Sequence, residues 1–201
     1  MPSAGFFAQL GMFVAPVFLD AASCVRLRRE MQSAPTIPAP ILDHQNQVRV
    51  DEYRRKTEKA LVSDETRTQV MSRLIAARPS LARHFSVDLG GCEPLSFLIY
   101  REGYSFGRHT DASRDPDAPT RVRRVSISVF LNSEGEENDP ESYGGGSLTF
   151  YGAAADRGRI GLPEISLTGE EGLLIGFRSD WPHSIQPITR GVRFSIVTWF
   201  A

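Results

Sequence analysis

The chain predicts a mainly β, α+β fold: a double-stranded β-helix, or jelly roll, buttressed by helices from its N-terminal part. Three observations carry this. From Leu95 onward, short apolar runs are punctuated by Gly, Pro and acidic turns, the mark of successive strands. There are eight such runs, enough for a jelly roll. The two clear helical periodicities both lie upstream of them. The 201 residues fit one domain, 1–201, with 1–94 supplying strands and supporting helices and 95–201 the jelly-roll core; no internal repeat is visible.

In chain order, Gly5 to Leu19 is fairly apolar but is preceded by no Lys or Arg, contains Gln9 and is too short to span a bilayer. It reads as an extended segment joining the core, which implies a cytoplasmic protein with no membrane partner. Within it, Phe13–Leu19 is a predicted strand. Asp20 is a natural N-cap for a helix over Ala21–Gln32, with Cys24, Leu27 and Met31 on one side. Arg26, Arg28 and Arg29 then fall on a solvated face. Pro35, Pro38 and Pro40 forbid regular helix and mark an extended connector. Val48 to Lys56 reads as strand followed by a charged stretch. Ser63-Asp64-Glu65 opens a second helix, in which Val70, Met71, Leu74 and Ile75 form a stripe for packing on a sheet. Pro79 is expected to end or restart it, with Leu81–Phe85 a final turn. His44 and His84 read as surface or half-buried structural residues.

The predicted strands are Leu95–Tyr100, Arg108–Asp111, Val122–Asn132, Ser147–Tyr151, Glu164–Leu167, Gly172–Phe177, His183–Pro187 and Val192–Phe200. Alternation along the third puts Val125, Ile127, Val129 and Leu131 on one face and Ser126, Ser128 and Phe130 on the other. The aliphatic face should meet the helices, and the Ser/Phe face should look into the barrel. On the last strand Arg193, Ser195 and Val197 share a face. An arginine inside a barrel is costly unless paired, so an anion is expected beside it. Gly144-Gly145-Gly146 gives a hairpin its tight re-entry and is no phosphate site, because no helix follows. Ser133 to Tyr143 is acidic and aperiodic, a loop.

A net charge of -1 gives no electrostatic case for nucleic acid as a partner. Cys24, on a helix, and Cys92, in a loop, match no zinc spacing and read as reduced thiols. Chemistry concentrates instead at Gly107-Arg108-His109-Thr110-Asp111. In extended chain, His109 and Asp111 leave on one face. A second imidazole from His183 would complete two histidines and a carboxylate, the facial set that suits Fe(II) and leaves positions open. The same set also describes zinc hydrolases. Arg193, ten residues past His183, separates the two, since its fork can grip the far carboxylate of a bidentate co-substrate and a hydrolase has no such need.

These residues, taken in order, resemble the Fe(II)/2-oxoglutarate-dependent dioxygenases, in particular their prolyl 4-hydroxylase-like branch. The signature is Tyr100-x-x-Gly103, His109-x-Asp111, Arg124 leading to Phe130-Leu131-Asn132, Gly145-Gly146-x-Leu148, Gly172-x-Leu174-x-x-Phe177, His183, Gly191-x-Arg193 and Trp199. It runs clearly from about Leu95 and more weakly upstream. The resemblance implies Fe(II) held by His109, Asp111 and His183, 2-oxoglutarate as co-substrate, O2 as oxidant and ascorbate as reductant. Decarboxylation to succinate and CO2 would accompany hydroxylation of an unactivated C–H. Asp111 argues against the halogenase variant, in which a small residue vacates that position. Many relatives carry tyrosine where this chain has Phe130, and that hydroxyl helps hold the co-substrate carboxylate; its loss is worth about 0.5–1.5 kcal/mol. Tyr100 is the expected substitute donor, and Ser195, beside Arg193, a further co-substrate contact. The implied substrate is a prolyl residue of a peptide or protein. A free amino acid or other small molecule, or a sensor without turnover, are the rivals. Arg108, Arg123 and Arg124 flank the mouth of the expected pocket in solvated or ion-paired roles. Trp181-Pro182 either stiffens the backbone before His183 or fills the core. The acidic loop could favour a basic peptide.

Overall fold

Asp20 and Ser63 start the two long helices as predicted. In the computed structural model, which describes residues 4–42, 45–135, 139–153 and 162–201, α2 spans Ala21–Ser33 and α3 Asp64–Phe85. The Asp20 carboxylate accepts from Ser23 N at 2.7 Å and the Ser63 hydroxyl from Thr66 N at 3.3 Å. Such caps satisfy amide donors that the first turn leaves unpaired. Helix α3 runs straight through Pro79, contrary to the expected break. Proline in a helix interior costs about 3 kcal/mol, but Leu74 before it and Leu81 after it are both fully buried in one cluster. Packing of the two flanking turns outweighs the local penalty.

Among the described residues, the strands form a seven-stranded and a five-stranded sheet with two small ribbons. Across the larger sheet the order is Phe13–Ala15, Leu174–Arg178, Val125–Phe130, Arg193–Phe200, Ser96–Tyr100, Glu58–Ala60, Thr36–Pro38. The smaller runs Leu162–Leu167, Leu148–Ala153, His183–Ile185, Ser105–His109, Arg55–Lys56. The jelly roll is these two sheets face to face. Alternation places the side chains as expected: Val125, Ile127, Val129 and Leu131 join Leu27, Met31, Val70 and Leu74 in the outer core. Phe130 joins Tyr100, Phe150 and Phe177 between the sheets.

Several expectations need correction. Residues Ala4–Gln9 form a short helix, α1, not an extended segment, because Phe7 turns into the core. The first strand stops at Ala15. The strand expected to open Val48–Lys56 is only Val48–Arg49, and the charged stretch after it ends in a second short strand, Arg55–Lys56. Between them the Asp51 carbonyl accepts from Arg54 N and Arg55 N at 3.1 and 2.8 Å, folding the chain back. Pro119–Val122 is a 3-10 turn, and the strand starts only at Val125. Arg28 is not on a solvated face. It is buried and ion-paired to Glu141 (2.7 Å) and to Glu171, tying α2 to the acidic loop. Both cysteines are free, and burial pushes the Cys24 thiol up to about 11. Gly145 and Gly146 both take positive φ (70° and 68°), and a Cβ on Gly145 would come within 2.5 Å of Pro187 O, so the re-entry requires glycine. No described helix is long and apolar enough to cross a membrane. His44, Glu136 and Glu137 lie outside the described residues, and His84 is an exposed ring 3.3 Å from Gly11 O.

Candidate metal and co-substrate site

His109 ends one strand of the smaller sheet and His183 begins its neighbour, and the two are direct cross-strand partners. Their rings lie 4.2 Å apart, centroid to centroid. Asp111 is brought in differently from the expected extended run. The strand ends at His109, and Asp111 N and Ala112 N both donate to Ser179 O, at 3.0 and 2.9 Å. That turn swings the carboxylate between the rings: Oδ1 is 3.6 Å from His109 Nε2 and Oδ2 3.5 Å from His183 Nε2. One ligand atom from each residue lies within 4.8 Å of the others.

The surroundings fix the form of each group. His109 Nδ1 donates to Gly107 O at 2.8 Å and His183 Nδ1 to Trp181 O at 2.9 Å. Both Nε2 lone pairs are thereby left for a cation, the usual way a backbone acceptor sets the tautomer of a ligating histidine. Phe106 stacks on His109 with centroids 3.6 Å apart, and Phe177 meets His183 edge-on at 4.8 Å. Burial lowers the His183 pKa to about 4, against the opposing pull of Asp111, so at neutral pH the ring is uncharged. Burial would raise Asp111, but His183, His109 and the Ser126 hydroxyl together hold it well below the usual carboxylate range. Ser126 Oγ donates to Asp111 Oδ2 at 2.7 Å. Ser179 Oγ lies 2.9 Å from Ser126 Oγ, a second acceptor within reach of the same hydroxyl. Two imidazoles presenting Nε2 beside an oriented carboxylate are the donor set that a divalent iron accepts.

A cavity of ≈ 430 Å³ opens over this group and reaches Tyr100, Ser128, Arg193 and Ser195. Arg193 is 1% exposed and makes no ion pair among the described residues. Its guanidinium lies 4.9 Å from the Phe130 ring centroid and 5.3 Å from that of Tyr100. Arg193 Nε, Ser195 Oγ and Tyr143 Oη are all buried without a hydrogen-bond partner. Orphaned donors around a buried cation call for an anion. A carboxylate at the foot of the cavity would meet two of them, so the residues present fit 2-oxoglutarate as well as iron.

All six residues singled out in the sequence, His109, Asp111, His183, Tyr100, Arg193 and Ser195, border this one cavity. Arg123 borders it too, bound at 2.7 Å through both Nε and the second guanidinium nitrogen to Glu93 and lying 3.7 Å from the Trp199 ring centroid. Arg108 lies over Tyr151, and Arg124 is exposed. The Trp181 indole packs 4.9 Å from Phe150 and donates to Tyr151 O, in line with a packing role, and its carbonyl accepts from the His183 ring. The acidic loop does not border the cavity with any described residue. Glu141 is taken by Arg28, and Glu134 accepts from Ser147 at 3.2 Å. Sequence reasoning missed Ser179 and the role of Ser126, although the inward phase of Ser126 was legible. It also missed the wall built by Ala39 to Lys59.

Comparison with known proteins agrees with this geometry. Residues 95–201 match the sequence model of the 2OG-Fe(II) oxygenase superfamily. A PKHD-type hydroxylase of Pseudomonas putida strain W619 is 36% identical over 103 residues, 50% of this chain and 39% of that protein. Another, from Synechococcus sp. JA-2-3B'a(2-13), is 29% identical over 126 residues, covering 62% and 46% respectively. The chain thus spans under half the length of these two curated relatives. Among solved structures, a prolyl-4-hydroxylase of Pseudomonas putida superposes with a TM-score of 0.68 at 25% identity, over 94% of this chain and 91% of that one. A Trichoplax adhaerens prolyl hydroxylase, solved with a hypoxia inducible factor peptide fragment, shares the fold with a TM-score of 0.67 at 19% identity, over 98% and 86%.

Proposed function

Because the chain belongs to the 2OG-Fe(II) oxygenase superfamily, we propose that it hydroxylates an aliphatic C–H, specifically in a prolyl residue of a peptide or protein. The observation that carries the reading is the pairing of a His109/Asp111/His183 cluster with an unpaired, buried Arg193 in the same cavity. When bound, Fe(II) with 2-oxoglutarate supplies O2 activation: R–H, 2-oxoglutarate and O2 give R–OH, succinate and CO2.

The chain's own residues bind, orient and exclude. His109 and His183 offer Nε2 because their Nδ1 protons are committed to backbone carbonyls. Asp111 is kept ionised by the Ser126 hydroxyl and positioned by its own amide, which donates to Ser179 O. Arg193 takes the far carboxylate of 2-oxoglutarate in a charge-assisted pair, with Ser195 and Tyr100 beside it. Phe106, Phe150 and Phe177 wall the histidines with apolar surface, which keeps water from the reacting carbon. Support for proline comes from the relatives, two of which are solved prolyl hydroxylases.

The test is mass spectrometry of proline-containing peptides after incubation with protein, iron, ascorbate and 2-oxoglutarate. One added oxygen on proline, matched by succinate, is the expected result. Succinate without peptide oxygenation would overturn the prolyl assignment in favour of a small-molecule substrate. Omitting ascorbate should shorten the time course without changing the product.

A further inference from the structure

The wall of the cavity above the iron-binding group comes from a part of the chain upstream of the family-matched residues. Arg55–Lys56 adds a strand to the smaller sheet, pairing Arg55 with Phe106, and Glu58–Ala60 adds one to the larger, pairing Lys59 with Leu98. The chain therefore crosses from one sheet to the other at Thr57, whose hydroxyl donates to Ile99 O at 2.9 Å. Alternation sends Glu58 outward, where it binds Arg101 (3.2 Å) and Tyr104 (3.3 Å). Its neighbour Lys59 lines the cavity, as do Arg54 and Arg55.

Among the described residues, these cations have no counterion. Arg55 donates to Pro40 O at 3.1 Å, but its Nε is buried with no partner. Its guanidinium carbon lies 4.7 Å from the centre of Phe106, the ring stacked on His109, so it stands one aromatic ring away from the metal group. Lys59 is half-buried, and its ammonium makes no hydrogen bond or ion pair among the described residues. Burial first, then Arg67 and Arg55, depress its pKa. Among the described residues bordering the cavity, Asp111 is the one carboxylate. Of the other charges, Arg123 is neutralised by Glu93 and Arg193 sits at the co-substrate end. Arg54, Arg55 and Lys59 remain, all contributed to the cavity wall by the one segment upstream of residue 95.

We propose that Arg55 and Lys59 form a substrate-anion subsite, so that the chain takes a substrate carrying a carboxylate close to the carbon that is oxidised. This rests on the prolyl hydroxylase reading and gives its substrate a sign. It also reverses the charge suggested by the acidic loop, which contributes no described residue to the cavity. A carboxylate could come from an Asp or Glu side chain flanking proline or from the α-carboxylate of a free amino acid. Val48, Val50 and Tyr53, exposed at 71%, 51% and 104% on the same segment, offer apolar surface to a longer ligand, and Val48 borders the cavity itself. An acidic peptide is therefore the expected source.

The experiment uses the full chain with Fe(II) and 2-oxoglutarate, and four probes: proline peptides of equal length flanked by Glu, by Gln or by Lys, and free L-proline. Fluorescein-labelled copies of the three peptides are titrated in parallel by anisotropy. The Glu peptide should have a kcat/KM and an affinity about tenfold or more above the Gln peptide, and the Lys peptide should be poorest. Lys59→Met and Arg55→Gln should bring the Glu peptide down to the Gln level while the calorimetric Kd for 2-oxoglutarate stays as in wild type, which also reports a folded cavity. Equal behaviour of the three peptides would overturn the subsite. A rise in the 2-oxoglutarate Kd in Lys59→Met would overturn it as well, by placing Lys59 on the co-substrate. Preference for free L-proline that is lost in Lys59→Met would keep the subsite and replace the peptide. Anisotropy favouring the Glu peptide without oxygenation would keep the subsite and sink the prolyl reading, so the two failures are distinguishable.

Discussion

On the helix side of the Val125–Phe130 strand, Val125, Ile127 and Val129 meet Leu27, Met31, Leu74 and Leu81, a layer of aliphatic side chains that needs nothing further. On the cavity side, the same strand offers Ser126, committed to Asp111, and Ser128 and Phe130, close to an arginine with no counterion. The first face is complete as it stands, and its stability is hydrophobic burial. The second is incomplete: Arg193 Nε and Ser195 Oγ are buried and unsatisfied, a cost that persists only where a ligand is to meet it. By alternation, one strand thus faces a closed aliphatic layer on one side and, on the other, a cavity whose orphaned donors come from the neighbouring Arg193–Phe200 strand.

Substitutions should separate the two faces. The largest effect is expected from Asp111→Ala, which leaves two imidazoles and no carboxylate. Iron binding followed by calorimetry should become undetectable, and succinate formation with it, while the thermal midpoint of the metal-free protein holds or rises. Retention of tight iron binding would break the ligand assignment. On the opposite face, Leu74→Ala removes a fully buried side chain and should cost about 2–5 kcal/mol of unfolding free energy, read by urea titration. The folded fraction should still bind 2-oxoglutarate as wild type does. A matching loss of affinity would show that the two faces are not independent.

Ser126→Ala removes a hydrogen bond to a buried carboxylate, and outer hydrogen bonds of this kind are worth about 10–100-fold in metal affinity. It should weaken iron binding by that factor with little change in stability. Smallest is Arg193→Met in the metal-free protein. Replacing an unpaired buried charge with an apolar chain of similar volume should leave the thermal midpoint unchanged or slightly higher. A large destabilisation would mean that Arg193 holds the fold together and is not reserved for a ligand.

Where the physics is local, the sequence was legible. Asp20 and Ser63 cap their helices, the Cys24/Leu27/Met31 stripe is buried, and strand alternation assigned the faces of Val125–Leu131 correctly. The His109, Asp111, His183 and Arg193 set came from the resemblance carried by the ordered motifs, although Asp111 reaches its place through a turn on Ser179 and not an extended strand. What could not be read depends on partners far away in the chain. Arg28 looks like a surface residue until Glu141 and Glu171 fold over it. Helix α3 survives Pro79 because Leu74 and Leu81 are buried together. The short strands at Arg55–Lys56 and Glu58–Ala60 have no periodicity of their own and exist because each completes the edge of a different sheet.

The most direct test of the account is anaerobic calorimetric titration of 2-oxoglutarate into iron-loaded wild type and Arg193→Met. Stranding a buried carboxylate opposite a missing guanidinium should cost about 3–5 kcal/mol, a loss of affinity beyond roughly 100-fold, while iron itself binds both proteins alike. Undiminished 2-oxoglutarate binding by Arg193→Met would contradict the claim that this arginine and the His109/Asp111/His183 cluster hold two ends of one molecule.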